Sequence, residues 1–352
     1  MKIAIDLSPL SSGHFLQHRV RGTGFYLTNL KESLVKYFPK NEYIYFNRGE
    51  SLPKDVDVIH YPYFEPFFIT LPFGINKKSV VTVHDLTPFV FPNNFPSGIK
   101  GKIRWQVQKK SLKKAGAIIT DSNSSKKDIE SFAGIDPSKI HVVYLAAAEH
   151  FKPQSESRKQ EIVKKFNLPT RFVLYVGDAT WNKNLPRLIE AINKTEIPLI
   201  IVGQAFANKD FDHSNPWNSD LQKAQELVGQ NKNIKILGFV SNGDLAALYS
   251  VATLFVMPSL YEGFGLPILE AMASGCPVIT SKNGSLKEVG GDGVYHIDPE
   301  NLDSIEKGIE KVWNDTNLQK ELSRKGLGQA KKFTWEKTAT QTLKVYEEVA
   351  SE

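Results

Sequence analysis

Short β-branched runs alternate with amphipathic stretches along almost the whole chain, and this alternation constrains the fold more than any other feature. Runs at 2–6, 43–46, 56–60, 79–83, 117–120 and 140–143 read as strands, with helices predicted at 24–37, 99–114 and 124–132. Strands separated by helices imply parallel sheets covered on both faces, because a parallel connection needs a crossover. After Phe151 the pattern begins again, with strands predicted at 172–176, 199–202, 234–237, 253–257 and 278–280. Between the two series, residues 152–165 are charged and include Pro153, which suits a linker running into a helix. At 352 residues the chain is long enough for two cores. The expectation is an α/β protein of two Rossmann-like, doubly wound domains, residues 1–150 and 151–334, facing each other across a cleft.

Composition narrows the function classes. Forty-four basic and 38 acidic residues leave a net charge of +6, which suits anionic substrates and is too diffuse to argue for nucleic acid. No apolar run approaches the roughly 20 residues needed to span a bilayer, and MKIAIDLSPL is too short an apolar stretch for a signal peptide. The single cysteine, Cys276, excludes an internal disulfide and fits a reducing, cytoplasmic setting. It reads as a small packing residue.

The segment Met257-Pro-Ser-Leu-Tyr-Glu-Gly-Phe-Gly-Leu-Pro-Ile-Leu-Glu270 carries the most chemistry. It reads as a strand end, a glycine-bearing loop over 261–265, and a helix opening at Pro267. Gly263 and Gly265 let the backbone approach a ligand, and the N–H groups at a helix start suit a diphosphate. Glu262 and Glu270 flank that anion site. Carboxylates there oppose the anion's charge, and the role that fits them is accepting hydrogen bonds from the hydroxyl groups of ribose and sugar. Two solvated acids on a capped helix are the plainer alternative.

With its Glu–seven residues–Glu element, the chain resembles the retaining glycosyltransferases of family 4, which have the GT-B fold. The resemblance implies a nucleoside diphosphate sugar as donor, held by Gly263, Phe264, Gly265 and Leu266 at its diphosphate and by Glu270 at its ribose. It implies that Glu262 orients the transferred sugar; whether Glu262 also acts as a covalent nucleophile stays open. Asp178-Ala-Thr-Trp-Asn-Lys-Asn184 follows a predicted strand, and Lys183 matches the family lysine on the donor's distal phosphate. Many relatives add an arginine nearby; Asp178 and Asn182 stand in those places here, so Lys183 acts with backbone donors alone or with help from Arg21.

In the first half, Gly22 and Gly24 of Arg21-Gly-Thr-Gly match a glycine-rich loop that closes over the diphosphate. His84, at the end of the strand Val80-Val-Thr-Val-His-Asp, matches a histidine that touches the transferred sugar or acceptor. Asp85 then orients its ring or caps the next turn. Phe239 and Val240 fall where relatives hold the nucleobase, and equally suit a core. The amphipathic end of the chain, 335–352, is expected to cross back onto the first domain.

No cofactor is expected, and no metal. Asp55-Val-Asp57 leads into a strand, Asp210-Phe-Asp212 lies in a polar loop, and GT-B enzymes generally need no metal. Residues 99–114 hold seven Lys or Arg, no acid, and Trp105. Such a helix suits peripheral contact with an anionic membrane, at the inner face of the cell membrane; its apolar residues also suit a core. The HDLTPFVFP and GDATWNKNLPRLIEAI segments look closest to bacterial mannosyltransferases of polysaccharide assembly. They favour GDP-mannose over UDP-glucose or UDP-N-acetylglucosamine, with a glycan or lipid-linked acceptor. The competing readings are a non-catalytic nucleotide-sugar-binding subunit and a GT-B sugar-nucleotide epimerase.

Overall fold

The computed structural model describes residues 1–11, 21–207, 211–229 and 231–351. Asp210 and the Arg21 side chain lie outside the described residues, so the readings placed on them receive no structural account. The chain divides into two compact units, Met1–Leu145 with Phe333–Glu352, and Ala146–Lys332.

The first unit holds β1 (Lys2–Asp6), β2 (Glu42–Phe46), β3 (Val58–Tyr61), β4 (Ser79–Thr82), β5 (Ala117–Thr120) and β6 (Ile140–Val142). They form one parallel sheet in the order β2-β1-β3-β4-β5-β6. Every residue of β4 and β5 is buried, as expected for strands covered on both faces. The helix Trp335–Ser351 belongs to this unit and is fastened by a buried polar chain. The Tyr346 hydroxyl lies 2.7 Å from His60 Nδ1, and His60 Nε2 lies 2.7 Å from the Thr82 hydroxyl. Burial pushes His60 down to about 3, so its ring is neutral and bonds a hydroxyl at each nitrogen.

The second unit holds β7 (Val173–Val176), β8 (Leu199–Val202), β9 (Ile234–Gly238), β10 (Leu254–Met257), β11 (Val278–Thr280) and the two-residue β12 (Tyr295–His296). Their order is β12-β11-β10-β7-β8-β9, again all parallel. The strand order reverses between β7 and β10, so the loops leaving these two strands meet although far apart in sequence. Beneath them lies a core of Val173, Tyr175, Leu188, Ile192, Leu199, Leu254 and Val256. Truncating a leucine at such a position to alanine costs about 2–5 kcal/mol.

The first helix differs from the sequence-based expectation at its start. It begins at Arg21 and runs to Tyr37, which puts Gly22 and Gly24 inside its first turn and not in a preceding loop. Glycine is a poor helix former, so propensity alone placed the start later. Among the described residues, nothing lies within 4 Å of where a Gly22 Cβ would stand, and Leu10 Cδ2 would be 3.6 Å from one at Gly24.

In the helix Gly98–Lys114, Trp105 is buried, packed with Phe64 and Phe89, and does not face outward. The outward face instead carries Ile99 and Ile103, 80% and 62% exposed, among the exposed Lys102, Lys110, Lys113 and Lys114. Among the described residues, no helix is long and apolar enough to cross a membrane.

Candidate functional site

The loops leaving β7 and β10 build the centre of the site. After β7 the chain turns through a short 3-10 helix, Trp181–Lys183, and enters the helix Leu185–Asn193. Asn184 makes that join in a left-handed conformation, φ +56°, which asparagine tolerates better than most side chains. Its amide donates to the carbonyls of Pro258 (3.0 Å) and Pro299 (2.7 Å), tying the turn to the end of β10. Asn182 adds a second tie: its amide donates to the Tyr261 carbonyl at 3.0 Å, and its own carbonyl accepts from Leu260 N–H at 2.7 Å. Asn182 therefore stitches the two loops together.

Those ties bring Lys183 onto Glu262. The ammonium donates to both carboxylate oxygens, at 2.8 and 2.7 Å. The pair is largely buried, with side chains 20% and 9% exposed. Behind it, Ser285 donates through its amide (3.2 Å) and hydroxyl (3.0 Å) to the Glu262 carbonyl, and the hydroxyl also lies 2.7 Å from the Phe264 carbonyl. Gly284, φ +57°, must be glycine: a Cβ there would stand 2.6 Å from the Glu262 carbonyl oxygen. The sequence reading missed this support, although Asn283-Gly284 is a turn signal.

Gly265 takes φ +95° immediately before the helix Leu266–Ala273, with Pro267 in its first turn. An added Cβ there would meet Leu286 at 2.8 Å. Glu270 lies on this helix and is buried; the Tyr249 hydroxyl donates to it at 3.2 Å. Burial pushes the Glu270 carboxyl up to about 8, against the pull of that hydrogen bond. Phe264 is buried, Val240 is buried, and Phe239 is 76% exposed. The Val240 side chain is therefore packed in the core, while Phe239 projects from it. Cys276 is buried too, and burial pushes its thiol up.

In the first unit, β4 and β5 pair with Thr82 opposite Ile119, so the residues just past both strands fall side by side. His84 Nδ1 lies 2.6 Å from Asp121 Oδ2. Burial pushes the imidazole down, but the charge and hydrogen bond of Asp121 outweigh it and hold His84 above its ordinary value. Asp121 Oδ1 is buried without a hydrogen-bond partner among the described residues, and the Pro62 backbone adds to the pull that holds the imidazole up. The Tyr26 ring meets the His84 ring edge-on at 5.0 Å. Asp85 does the second of its two expected jobs: its carboxylate accepts from Thr87 N–H at 2.9 Å and caps the next turn. Asp121 was missed, since 37 residues separate it from His84.

A family model described as glycosyl transferases group 1 matches residues 156–329, and one described as glycosyltransferase family 4 matches residues 13–147. O-antigen chain mannosyltransferase B of Escherichia coli is 33% identical over 280 residues, which cover 77% of this chain and 70% of that protein. The serotype-specific mannosyltransferase WbdA of Escherichia coli is 28% identical over 74% of this chain, but the match spans only 32% of that longer protein. Among solved structures, sucrose-phosphate synthase from Thermosynechococcus elongatus superposes with a TM-score of 0.75 at 19% identity, covering 99% of this chain and 98% of that one.

Two parallel α/β units, matched in fold to such an enzyme and in sequence by transferase models, define a GT-B glycosyltransferase. The chain belongs to glycosyltransferase family 4.

Proposed function

We propose that the enzyme is a retaining, metal-independent mannosyltransferase that takes its sugar from GDP-mannose and adds it to a hydroxyl of a glycan or lipid-linked acceptor. One observation carries the reading: Lys183 and Glu262 are clasped together beside the Gly265 turn that opens the Glu270 helix. The ammonium and the helix start supply positive charge where a departing diphosphate gains negative charge, so the reading asks for no metal. Gly263, Phe264, Gly265 and Leu266 carry the diphosphate, Glu270 the ribose, and Glu262 the sugar hydroxyls. His84 donates a hydrogen bond from Nε2 during transfer, and Gly22 and Gly24 contribute backbone to the donor. In the transfer step the acceptor oxygen bonds to the anomeric carbon as that carbon's bond to the phosphate oxygen breaks. The acceptor proton passes to the same phosphate oxygen, leaving a glycoside and a nucleoside diphosphate. Mannose is favoured because the relative of 33% identity is named as a mannosyltransferase.

The Ile99 and Ile103 face, ringed by lysines, suits contact with an anionic membrane bearing a lipid-linked acceptor. The test of the donor is a panel of nucleotide sugars scored for thermal stabilisation and then for hydrolysis without acceptor. GDP-mannose is expected to stabilise most and to be hydrolysed slowly; preference for a UDP sugar would overturn the donor assignment.

A further inference from the structure

A cavity lies beside the turn that carries Lys183, and none of the residues read as donor contacts lines it. It measures about 230 Å³, and its walls include Trp181, Arg187, Glu190, Asp220, Lys223 and Glu300. At roughly 30 Å³ per water it holds roughly eight waters, too few for a long ligand. It is smaller than the usual drug-sized pocket of about 300 Å³ or more.

The walls carry charges of both signs, two cations and three carboxylates. Lys223 pairs with Glu190 at 2.7 Å, and Arg187 donates through Nη1 to Asn184 Oδ1 (2.9 Å) and the Pro299 carbonyl (3.0 Å). Asp220 makes no ion pair among the described residues, and burial pushes its carboxyl up. Three carboxylates in the wall repel a phosphate or carboxylate ligand, and five charged side chains disfavour an apolar one. An aromatic side chain among mixed donors and acceptors suits a neutral polyhydroxyl ring. Its hydroxyls satisfy the polar groups, and its C–H face lies on the negative face of an indole.

Resting on the glycosyltransferase reading, we propose that this cavity is a saccharide subsite holding one neutral pyranose unit of the glycan on which the enzyme works. Two of its wall residues, Trp181 and Leu260, stand two positions from Lys183 and Glu262, and Leu260 N–H donates to the Asn182 carbonyl at 2.7 Å. A sugar lodged there braces the two loops that hold the Lys183–Glu262 pair.

The test titrates methyl α-mannoside and α-mannotriose into the full chain, followed by saturation-transfer NMR, with GDP present in excess to fill the donor site. The expected result is binding with a Kd of about 1–20 mM, typical of a single small polar ligand, unchanged by GDP. Trp181→Ala and Asp220→Ala should each weaken it about tenfold or more. Asp220→Ala keeps the test valid should Trp181→Ala fail to fold, and it should leave donor hydrolysis unchanged. Absence of binding at about 50 mM, binding equal in both variants, or displacement by GDP overturns the proposal. Failure of the transferase reading shows separately, as absent hydrolysis of every nucleotide sugar while saccharide binding persists.

Discussion

The Lys183 ammonium lies 2.7 and 2.8 Å from the two carboxylate oxygens of Glu262, so each holds the charge the other presents to a ligand. On the proposed reading, a donor diphosphate competes with Glu262 for that ammonium. Replacing Glu262 removes the competitor. Glu262→Gln should therefore bind GDP as tightly as the parent enzyme, or up to about tenfold tighter, while transfer falls by about 10²–10³. Calorimetric titration of GDP alongside a transfer assay reads both; parallel loss of GDP affinity and turnover contradicts the exchange.

Glu270 predicts a proton linkage. Its carboxyl sits at about 8 in the free protein, so it is mostly protonated at pH 7. Accepting two ribose hydroxyls requires the carboxylate. Binding should then release on the order of one proton at pH 7, and affinity should rise as pH climbs toward 8. Titrations in buffers of different ionisation enthalpy measure the release, which Glu270→Gln should abolish. The same raised value makes Glu270 a stabilising group below its ordinary range, with that stability lost as pH rises through about 8.

Asp121 holds His84 above its ordinary value, so His84 carries its proton at Nε2 to higher pH than a free histidine does. The stability of this pair is fully present below the histidine's unfolded value and is lost as pH rises through the folded one. Asp121→Asn should move the alkaline limb of the turnover profile to lower pH and cut turnover by about 10–10³. An unshifted profile would leave Asp121 a purely structural residue.

For the membrane face, Ile99→Ser with Ile103→Ser should lower binding to phosphatidylglycerol vesicles about tenfold or more and leave hydrolysis of soluble donor unchanged. Trp105→Ala, by contrast, should lower thermal stability, since its ring is packed between Phe64 and Phe89. Equal vesicle binding by the double variant and the parent would remove this face from consideration. Gly284→Ala should unseat the Glu262 loop, because its Cβ would stand 2.6 Å from the Glu262 carbonyl oxygen. A loss of about 1–3 kcal/mol in stability is expected, read by thermal melting.

Most strands were legible because a buried parallel strand is a short apolar run whatever surrounds it. β12, at two residues, is too short to leave a pattern. Lys183 and Glu262 were each readable from their own motif, but their contact depends on the β7–β10 adjacency, which no local pattern states. Asp121 was invisible for the same reason: the β4–β5 register brings it to His84. Trp105 stayed open between membrane and core because a basic, apolar-spotted helix leaves its inward face undecided until its neighbours are placed. The first helix misled because two glycines in a first turn look like a loop.

The most direct test of the central claim is calorimetric titration of GDP-mannose into the parent enzyme, Lys183→Ala and Glu270→Ala. The account predicts saturable one-to-one binding in the parent, weakened by about tenfold or more in each variant, with folding intact by circular dichroism. Equal affinity in all three proteins would contradict it, because the sugar nucleotide would then be held by neither Lys183 nor Glu270.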